Sequence, residues 1–362
     1  MAEMVDNMIP ELHTSRYDGT SNTIIGRLSD CVSCDVIEEL NGQYELEIEY
    51  VTQGANAKEL KTGRVILVQA DDRSYNIQPF RIYNVRADAT GYITVNAQHI
   101  SYDLNKLIVT PFSATGISNV LAAIPSHLQR RSIDLLPWAY QSDIVNTTGE
   151  IDLKYPKSLR SFFGGSEGSL LDVFGGEFEW DSFTVKLNSA RGEDRGVYIR
   201  YGVNLTDLEK IEQYDSTFSH VICYYFNEDS GTCVISQAFG VSDLSQYESD
   251  LIQSRTKLID VSDKFENSTP TVTQLSNLAR TYASEMSAAP SIGLNVEFIK
   301  GEDTKLDKIV RLGDTVHIVY NPLEISETRK IVRTTWNVLL NRYDELVVGV
   351  PESSLAQTIM DF

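Results

Sequence analysis

Cysteine and histidine are scarce in this sequence, and long apolar runs are absent. The chain has 362 residues but only five histidines and four cysteines, which are Cys31, Cys34, Cys223 and Cys233. So few cysteines are typical of a reducing compartment and not of a disulfide scaffold. No run approaches the ~20 apolar residues that a membrane span needs. The stretch Met1–Glu11 has no basic residue, unlike a signal peptide. We therefore expect synthesis in the cytoplasm and no membrane span.

Basic residues are also few relative to acidic ones. The sequence has 31 Lys and Arg against 51 Asp and Glu, a formal net charge of -20. A surface of this sign repels phosphate backbones, so sequence-specific nucleic-acid binding is not expected. The same charge would suit a passage through which DNA slides without sticking, and simple solubility is the alternative reading. The 42% hydrophobic and 23% charged fractions indicate an ordinary globular protein of roughly two to three domains.

The first third of the chain has the alternation of β-strands. The run Tyr44–Tyr50 places Tyr44, Leu46, Ile48 and Tyr50 on one face and three glutamates on the other. Those glutamates, Glu45, Glu47 and Glu49, must meet water or a wet lumen. The strand candidate Cys34–Leu40 precedes this run, and Asn41-Gly42 between them predicts a hairpin with a type I′ turn.

Periodicity and breakers predict the remaining elements. Further strands are expected at residues 65–69, 80–85, 92–97, 177–181, 183–187, 197–201, 219–226, 314–320, 330–340 and 345–350. Helical segments are expected at 99–105, at 117–124 with a stop at Pro125, at 170–174 behind the cap Ser169, and at 272–287. Residues 126–160 show little periodicity and predict an irregular segment.

Two segments share one plan, which predicts an internal duplication. Gly63 precedes the strand 65–69, and a polar loop and the hairpin 80–97 follow. Gly313 precedes the strand 314–320, and a polar loop and the hairpin 330–350 follow at nearly the same spacing. Chance similarity between β-units is the alternative. Two small β-barrels per chain in a three-fold ring would present six similar faces, which suits a six-fold tube.

No constellation predicts catalysis or a cofactor or metal site. Cys31 and Cys34 have the spacing of a zinc pair, but no further ligands complete it, and an alternating strand would send them to opposite faces. The loop 164–169 is glycine-rich but lacks the Lys-Ser/Thr of a phosphate-binding loop, so we interpret it as a tight turn. His99, Tyr102 and Asp103 cluster at a strand-to-helix junction and are interpreted as a polar junction.

Several blocks of the sequence resemble the tail-associated minor structural proteins of siphophages and prophages. The matching blocks are 26–50, 78–83, 99–103, 168–180, 191–205 and 311–317. The resemblance covers about residues 8 to 350. It implies a β-rich α+β fold similar to the baseplate hub of contractile tails, with two similar small β-barrel tube domains and mixed α/β insertions. The implied domains are residues 1–100 (first barrel), 101–205 (insertions), 206–354 (second barrel with the inserted helix 272–287) and 355–362 (tail).

The resemblance also implies a role and partners. The implied role is a structural, non-enzymatic hub of a tail tip: a homotrimeric ring that extends the tail tube. The implied partners are the distal tail protein, the tail tube, the tape-measure protein and a tip, fibre or spike protein, with DNA passing through the lumen. The implied location is the virion tail or a phage-like particle assembled in the bacterial cytoplasm. No catalytic residue, cofactor or metal ligand is implied.

Three points stay open at the level of sequence. Many members of the resembling family continue into fibre or hydrolase domains, so the tip here is expected from another protein or from a longer chain. Leu355, Ile359 and Phe362 form a candidate docking segment, with a frayed tail as the alternative. A tail-tip peptidoglycan hydrolase is the enzymatic rival, and a carbohydrate-binding module is the third reading, given 18 Tyr and 3 Trp.

Overall fold

The fold is described from a computed structural model. It describes residues 9–20, 23–87, 89–129, 138–166, 168–200, 205–213, 218–227, 229–242, 244–247, 255–265, 268–286, 291–298, 310–320 and 325–349. Two compact units divide the chain. Unit 1 comprises Met1–Glu209 and Asn295–Phe362, and unit 2 comprises Lys210–Leu294.

Strands dominate the chain, which confirms the predicted β-rich α+β class. They are β1 (Glu11–His13), β2 (Ile24–Arg27), β3 (Cys31–Glu39), β4 (Tyr44–Val51), β5 (Val65–Gln69), β6 (Ile77–Ala87), β7 (Tyr92–His99), β8 (Ile108–Val109), β9 (Phe112–Thr115), β10 (Leu128–Gln129), β11 (Ala139–Ser142), β12 (Glu150–Leu153), β13 (Lys157–Ser158), β14 (Glu177–Asp181), β15 (Thr184–Asn188), β16 (Asp194–Arg200), β17 (Leu205–Gln213), β18 (His220–Asn227), β19 (Thr232–Ile235), β20 (Phe239–Gly240), β21 (Thr256–Asp260), β22 (Ser291–Phe298), β23 (Thr315–Tyr320), β24 (Ile325–Asn337) and β25 (Arg342–Gly349).

Helices are short and few by comparison. The α-helices are α1 (Ile117–His127), α2 (Leu159–Phe163), α3 (Leu170–Phe174), α4 (Leu244–Tyr247) and α5 (Val272–Glu285). The 3-10 segments in the described part of the chain include Ala57–Glu59, Ile100–Lys106 and Ser262–Phe265. No helix in the described ranges has the length and apolar character that a transmembrane helix needs.

A 13-stranded sheet contains two halves with the same strand order. Half A runs β3-β4-β7-β6-β5, and half B runs β17-β22-β25-β24-β23. The halves are joined edge to edge, because β24 of half B pairs with β3 of half A. A four-residue loop, 40–43, connects β3 to β4, whereas the chain between β17 and β22 carries most of unit 2. Pairing among the described strands closes neither half into a barrel, so the barrel form and the predicted domain boundaries stay predictions.

The two halves repeat backbone detail as well as order. The amide of Gly63 donates to the carbonyl of Ile82 at 2.7 Å, and the amide of Gly313 donates to the carbonyl of Ile331 at 2.9 Å. Both glycines lie in the left-handed region, with φ of 86° and 88°. The pairing of β6 with β7, and of β24 with β25, skips one residue directly after each of these isoleucines. Such shared bulges are specific features of a strand pair, so the duplication predicted from sequence is present in the backbone.

The hairpin between β3 and β4 is confirmed, but the predicted type I′ turn is wrong. Only Asn41 of the Asn-Gly pair has positive φ, at 58°. The side chain of Asn41 explains the difference: its amide donates to the carbonyl of Gly176 at 3.1 Å, and its oxygen accepts from the amide of Phe178 at 2.8 Å. The loop is therefore shaped by β14, which lies far along the chain.

The buried face of half A packs on the 3-10 segment Ile100–Lys106, which in turn contacts α2. Tyr44, Leu46 and Ile48 are 2% exposed or less. The ring of Tyr44 stacks on His99 with centroids 4.5 Å apart. Phe163 of α2 makes an edge contact with Phe178 at 5.9 Å. These rings form the aromatic core of unit 1.

The middle of the chain is more regular than its sequence predicts. Helix α1 continues through Pro125 to His127, so the predicted stop is wrong. A proline near a helix end removes one hydrogen bond, and tertiary contacts hold this last turn: Thr110 donates to the His127 carbonyl at 2.8 Å, and His127 stacks on Phe112 at 4.7 Å. The predicted irregular segment contains β10, β11, β12 and β13, each of which pairs with a strand elsewhere.

Unit 2 contains a small sheet that packs against α5. Its central strand β18 pairs with β19 and β20 antiparallel and with β21 parallel. Leu275 and Ala279 of α5 are fully buried against Cys223 of β18. Helix α5 begins at Val272 as predicted; Thr271 caps it and forms a capping box with Gln274, which satisfies two terminal backbone donors.

Candidate functional site

The polar face of the large sheet is the side opposite its buried core. Strand register places three rows of side chains on it, and none of them is fully buried. The polar face consists of Asn337, Asp35, Glu47, Asn96 and Asn84 in one row, Thr335, Ile37, Glu45, Gln98 and Arg81 in the second, and Ser33, Glu49, Thr94 and Arg86 in the third. Its carboxylates outnumber its two arginines. The predicted solvent-facing position of the three glutamates is confirmed.

Asp35 is a carboxylic acid of this face whose pKa is raised. It lies opposite Glu47 on β4, and its Oδ1 atom has no hydrogen-bond partner among the described residues. Burial, followed by repulsion from Asp344 and Glu47, raises the pKa of Asp35 to about 6. Its carboxyl therefore ionises near neutral pH. Among the described residues no cluster of three metal-ligating side chains is present.

A buried carboxylate ties half B to the chain before β16. Asp314 is 2% exposed, and its Oδ1 accepts from the amide of Glu193 at 2.8 Å. Its Oδ2 accepts from Arg195 Nε at 3.0 Å and from the amide of Arg311 at 3.0 Å. Three donors satisfy a buried carboxylate and offset its desolvation. This arrangement holds β16 parallel to β23.

Two ion pairs connect the mixed region to both halves of the sheet. Arg191 donates through Nη1 to Glu38 of β3 at 2.8 Å and to the carbonyl of Phe178 at 3.0 Å. Lys330 of β24 contacts Glu177 of β14 at 2.5 Å. These side chains are largely buried, so their pairing fixes geometry more firmly than surface pairs would. The junction between the halves is thus braced by charge as well as by strand pairing.

The residues of the predicted polar junction all have structural partners. His99 is fully buried, its Nε2 lies 3.2 Å from Gln78 Oε1, and its Nδ1 accepts from the amide of Ser101. Burial, with the nearby Arg160 charge, lowers the pKa of His99 well below its usual value. The Tyr102 hydroxyl accepts from a backbone amide, and Asp103 takes two bonds from Arg81 Nε, at 3.0 and 2.8 Å. These side chains stabilise the turn after β7.

The prediction that Cys31 and Cys34 point to opposite faces of their strand is wrong. Cys31 lies opposite Tyr50 and Cys34 lies opposite Ile48, which are on the same face of β4. A bulge between Cys31 and Ser33 inserts one residue and cancels the alternation. Burial raises the pKa of Cys31 to about 12, and burial also raises the pKa of Cys34 well above its usual value. Both thiols stay protonated, as expected for small buried apolar side chains.

The cap residue Ser169 and the tryptophans Trp180 and Trp336 have structural roles. Ser169 caps α3 as predicted, accepting from the amide of Asp172 at 3.3 Å, while Glu167 of the glycine-rich loop lies outside the described residues. Trp180 and Trp336 are 4% exposed or less, so they are core and not a carbohydrate platform. Leu355, Ile359 and Phe362 lie outside the described residues, and the docking segment stays a prediction.

Sequence reasoning missed Arg160, a fully buried cation in the core. Its guanidinium carbon lies 3.9 Å from the ring centre of Tyr102 and 4.6 Å from that of Trp180. Its Nη1 donates to Ser101 Oγ at 2.9 Å, while Nε and Nη2 have no partner among the described residues. Stacking between aromatic rings offsets part of the desolvation of such a cation. No local pattern marks this arginine, because both rings come from distant segments.

Comparison with known proteins identifies the fold. No protein-family model matches the sequence, and no curated protein matches it. Among solved structures, prophage tail protein gp18 from Listeria monocytogenes EGD-e is 15% identical over 98% of each chain, with a TM-score of 0.61. The 43 kDa tail protein of prophage MuSo2 from Shewanella oneidensis is 11% identical over 96% of this chain and 100% of that chain, with a TM-score of 0.62.

A third match agrees with these two. The tail protein from Neisseria meningitidis MC58 is 12% identical over 96% of this chain and 98% of its own, with a TM-score of 0.57. The chain therefore has the fold of prophage tail proteins along nearly its whole length. The resemblance inferred from the sequence blocks is confirmed at the level of the fold.

Proposed function

We propose that this chain is a structural component of a phage or phage-like tail: the hub ring at the end of the tail that faces the host. The observation that carries the proposal is the pair of sheet halves with one strand order, joined edge to edge in a single chain. The shared fold with prophage tail proteins supports the same role.

The duplication gives a reason for a ring of three. Three copies contribute six similar sheet halves, and a closed ring needs only one repeated contact between copies. Such a homotrimer would continue a six-fold tail tube and dock on the distal tail protein. Its other partners would be the tape-measure protein and a tip, fibre or spike protein. The particle is assembled in the bacterial cytoplasm and carries the ring in its tail.

The polar face is the surface we assign to the lumen of this ring. Asp35, Glu45, Glu47 and Glu49 give it an excess of negative charge. Fixed negative charge repels the DNA backbone and keeps a passing duplex from adhering. The acidic composition of the chain thereby has a local role in addition to solubility.

Particle composition and mass test the hub role. Tails purified from the producing cells should contain this chain, and cells that lack its gene should yield tubes without a tip. The purified chain should give a mass of about 122 kDa, three times 40.6 kDa. Absence of the chain from tails that are otherwise complete would overturn the role.

A charge reversal tests the lumen assignment. We compare Glu47→Lys on the polar face with Glu150→Lys on β12, another exposed glutamate, because both change the net charge equally. Only the first should slow DNA ejection from otherwise intact particles. Equal effects of the two variants would place the polar face outside the lumen.

A cell-wall assay tests the enzymatic rival. The purified chain should release no soluble fragments from host peptidoglycan above the level of a heat-denatured sample. Release that scales with the amount of chain would contradict the structural role and would favour a tail-tip hydrolase.

A further inference from the structure

One edge of half A lacks the partner that its counterpart in half B has. The second part of β24, Arg333–Asn337, pairs with β25 on one side and with β3 on the other. The counterpart in β6, Asn84–Ala87, pairs with β7 only, and β5 reaches no further along β6 than Arg81. Within the described strands, the outer edge of β6 after its bulge is open.

Burial follows this difference in pairing. Thr334 and Trp336 of β24 are 4% and 1% exposed. Val85 and Ala87, which occupy the same places in β6, are half-buried and exposed, and Tyr83 at the bulge is 45% exposed. An open edge with β-branched and aromatic residues and no proline is a template for pairing with another chain.

The complementary edge is β17, the terminal strand of half B. It is the counterpart of β3: each has nine residues and is the first strand of its half in both chain order and sheet order. The sequence Leu208-Glu-Lys-Ile-Glu-Gln213 also parallels Cys34-Asp-Val-Ile-Glu-Glu39. Strand β3 uses both edges, with β4 and β24, whereas β17 pairs with β22 alone among the described strands.

We propose that β6 of one copy pairs antiparallel with β17 of a second copy, in the register that joins β24 to β3. Within the chain, Arg333 lies opposite Glu39, Thr334 opposite Glu38 and Thr335 opposite Ile37. The same register sets Asn84 opposite Gln213, Val85 opposite Glu212 and Arg86 opposite Ile211 of the second copy.

This seam has consequences for assembly. Each copy offers one edge of each kind, so the contact is head-to-tail and repeats until a ring closes. The proposed strand pairing rests on the proposed function only for the number of copies in the ring. Every junction between sheet halves around the ring, whether within a chain or between chains, then has the same strand pairing.

Cysteine pairs test the seam in a Cys233→Ser background, because Cys233 is the exposed native thiol. The in-register pairs are Asn84→Cys with Gln213→Cys, Val85→Cys with Glu212→Cys, and Arg86→Cys with Ile211→Cys. Directly opposite residues have Cβ atoms about 4.5–5.5 Å apart, which small backbone shifts bring within disulfide range. The control, Val85→Cys with Ile211→Cys, is shifted by one residue and sends its thiols to opposite faces.

The expected result is covalent oligomers from the in-register pairs under mild oxidation, reversed by reductant, with at least tenfold less product from the shifted pair and single variants. Equal yields from shifted and in-register pairs would overturn the seam. So would the absence of in-register products from both the purified chain and isolated tails. In-register products from a chain that is absent from tails would keep the seam and overturn the hub role. Tails that contain the chain, with no such products in the tails or in the purified chain, would do the reverse.

Discussion

Replacing Gly313 with alanine should destabilise unit 1 more than the same replacement at Gly63, its counterpart in half A. Both glycines have nearly the same positive φ, at 88° and 86°. A Cβ atom at Gly63 meets nothing within 4 Å. A Cβ at Gly313 meets the backbone carbonyl carbon and oxygen of Arg191 at 2.8 and 2.9 Å. The two positions therefore share backbone conformation and differ in the space around it.

The magnitudes follow from these two contributions. An alanine in the left-handed region costs roughly 1–2 kcal/mol relative to glycine. Alanine also lowers the conformational entropy of the unfolded chain, which offsets a part of this cost at both sites. Forcing backbone apart in a packed junction adds about 1–3 kcal/mol. We expect a loss of about 1 kcal/mol for Gly63→Ala and about 3 kcal/mol for Gly313→Ala. The larger loss includes disturbance of the contacts of Arg191 with Glu38 and the Phe178 carbonyl.

Urea unfolding followed by tryptophan fluorescence measures this difference. The three tryptophans, Trp138, Trp180 and Trp336, all belong to unit 1, so the signal does not report unit 2. The slope of free energy against urea should match the wild type in both variants, because similar surface is exposed. Equal losses for the two variants would refute the steric account of the junction.

Three further predictions concern polar groups in unit 1. Asp35→Asn should gain stability relative to wild type as pH rises from 4.5 to 7.5, by about 1 kcal/mol after allowance for solvent. Because the pKa of Asp35 is raised to about 6, the protonated carboxyl stabilises the wild type fully at pH values below its unfolded pKa, and this stabilisation is lost as pH rises through 6. A difference in urea midpoints between variant and wild type that does not change with pH would contradict this. Arg160→Met should raise the free energy of unfolding by about 1 kcal/mol, because it removes a buried cation with two donors that have no partner among the described residues, whereas Arg160→Ala should lose about 3 kcal/mol by leaving a cavity; a Met variant that melts below the wild type would show that the guanidinium stabilises the core. Asn41→Gly keeps the positive φ but removes the acceptor of the Phe178 amide, so a loss of about 2 kcal/mol is expected, with Asn41→Asp in between; no loss by urea unfolding would argue against this brace.

Local patterns predicted the elements whose causes are local. The alternation in Tyr44–Val51 survives as buried and solvent-facing sides of β4, because a period of two is a property of the strand itself. Helix α5 begins where Thr271 caps it and ends within two residues of the predicted position. Its apolar spacing and its cap both lie within the segment that they specify.

Predictions failed where a distant contact overrides a local rule. The bulge after Cys31 reverses the facing of that thiol, and nothing in its immediate sequence marks the inserted residue. Helix α1 passes through Pro125 because Phe112 and Thr110 hold its last turn. Arg160 is core only because Tyr102 and Trp180 approach it from two sides.

The amino-acid sequence by itself determined the β-rich class, the acidic side of the sheet and the repeated plan that follows Gly63 and Gly313, since each depends on residue type and short spacing. Only the tertiary structure decided how the two halves meet. The pairing of β24 with β3 joins residues almost 300 positions apart, and no local propensity selects one edge strand over another. That choice depends on which edges remain after folding, and the same reason leaves β6 and β17 as the edges for a neighbouring copy.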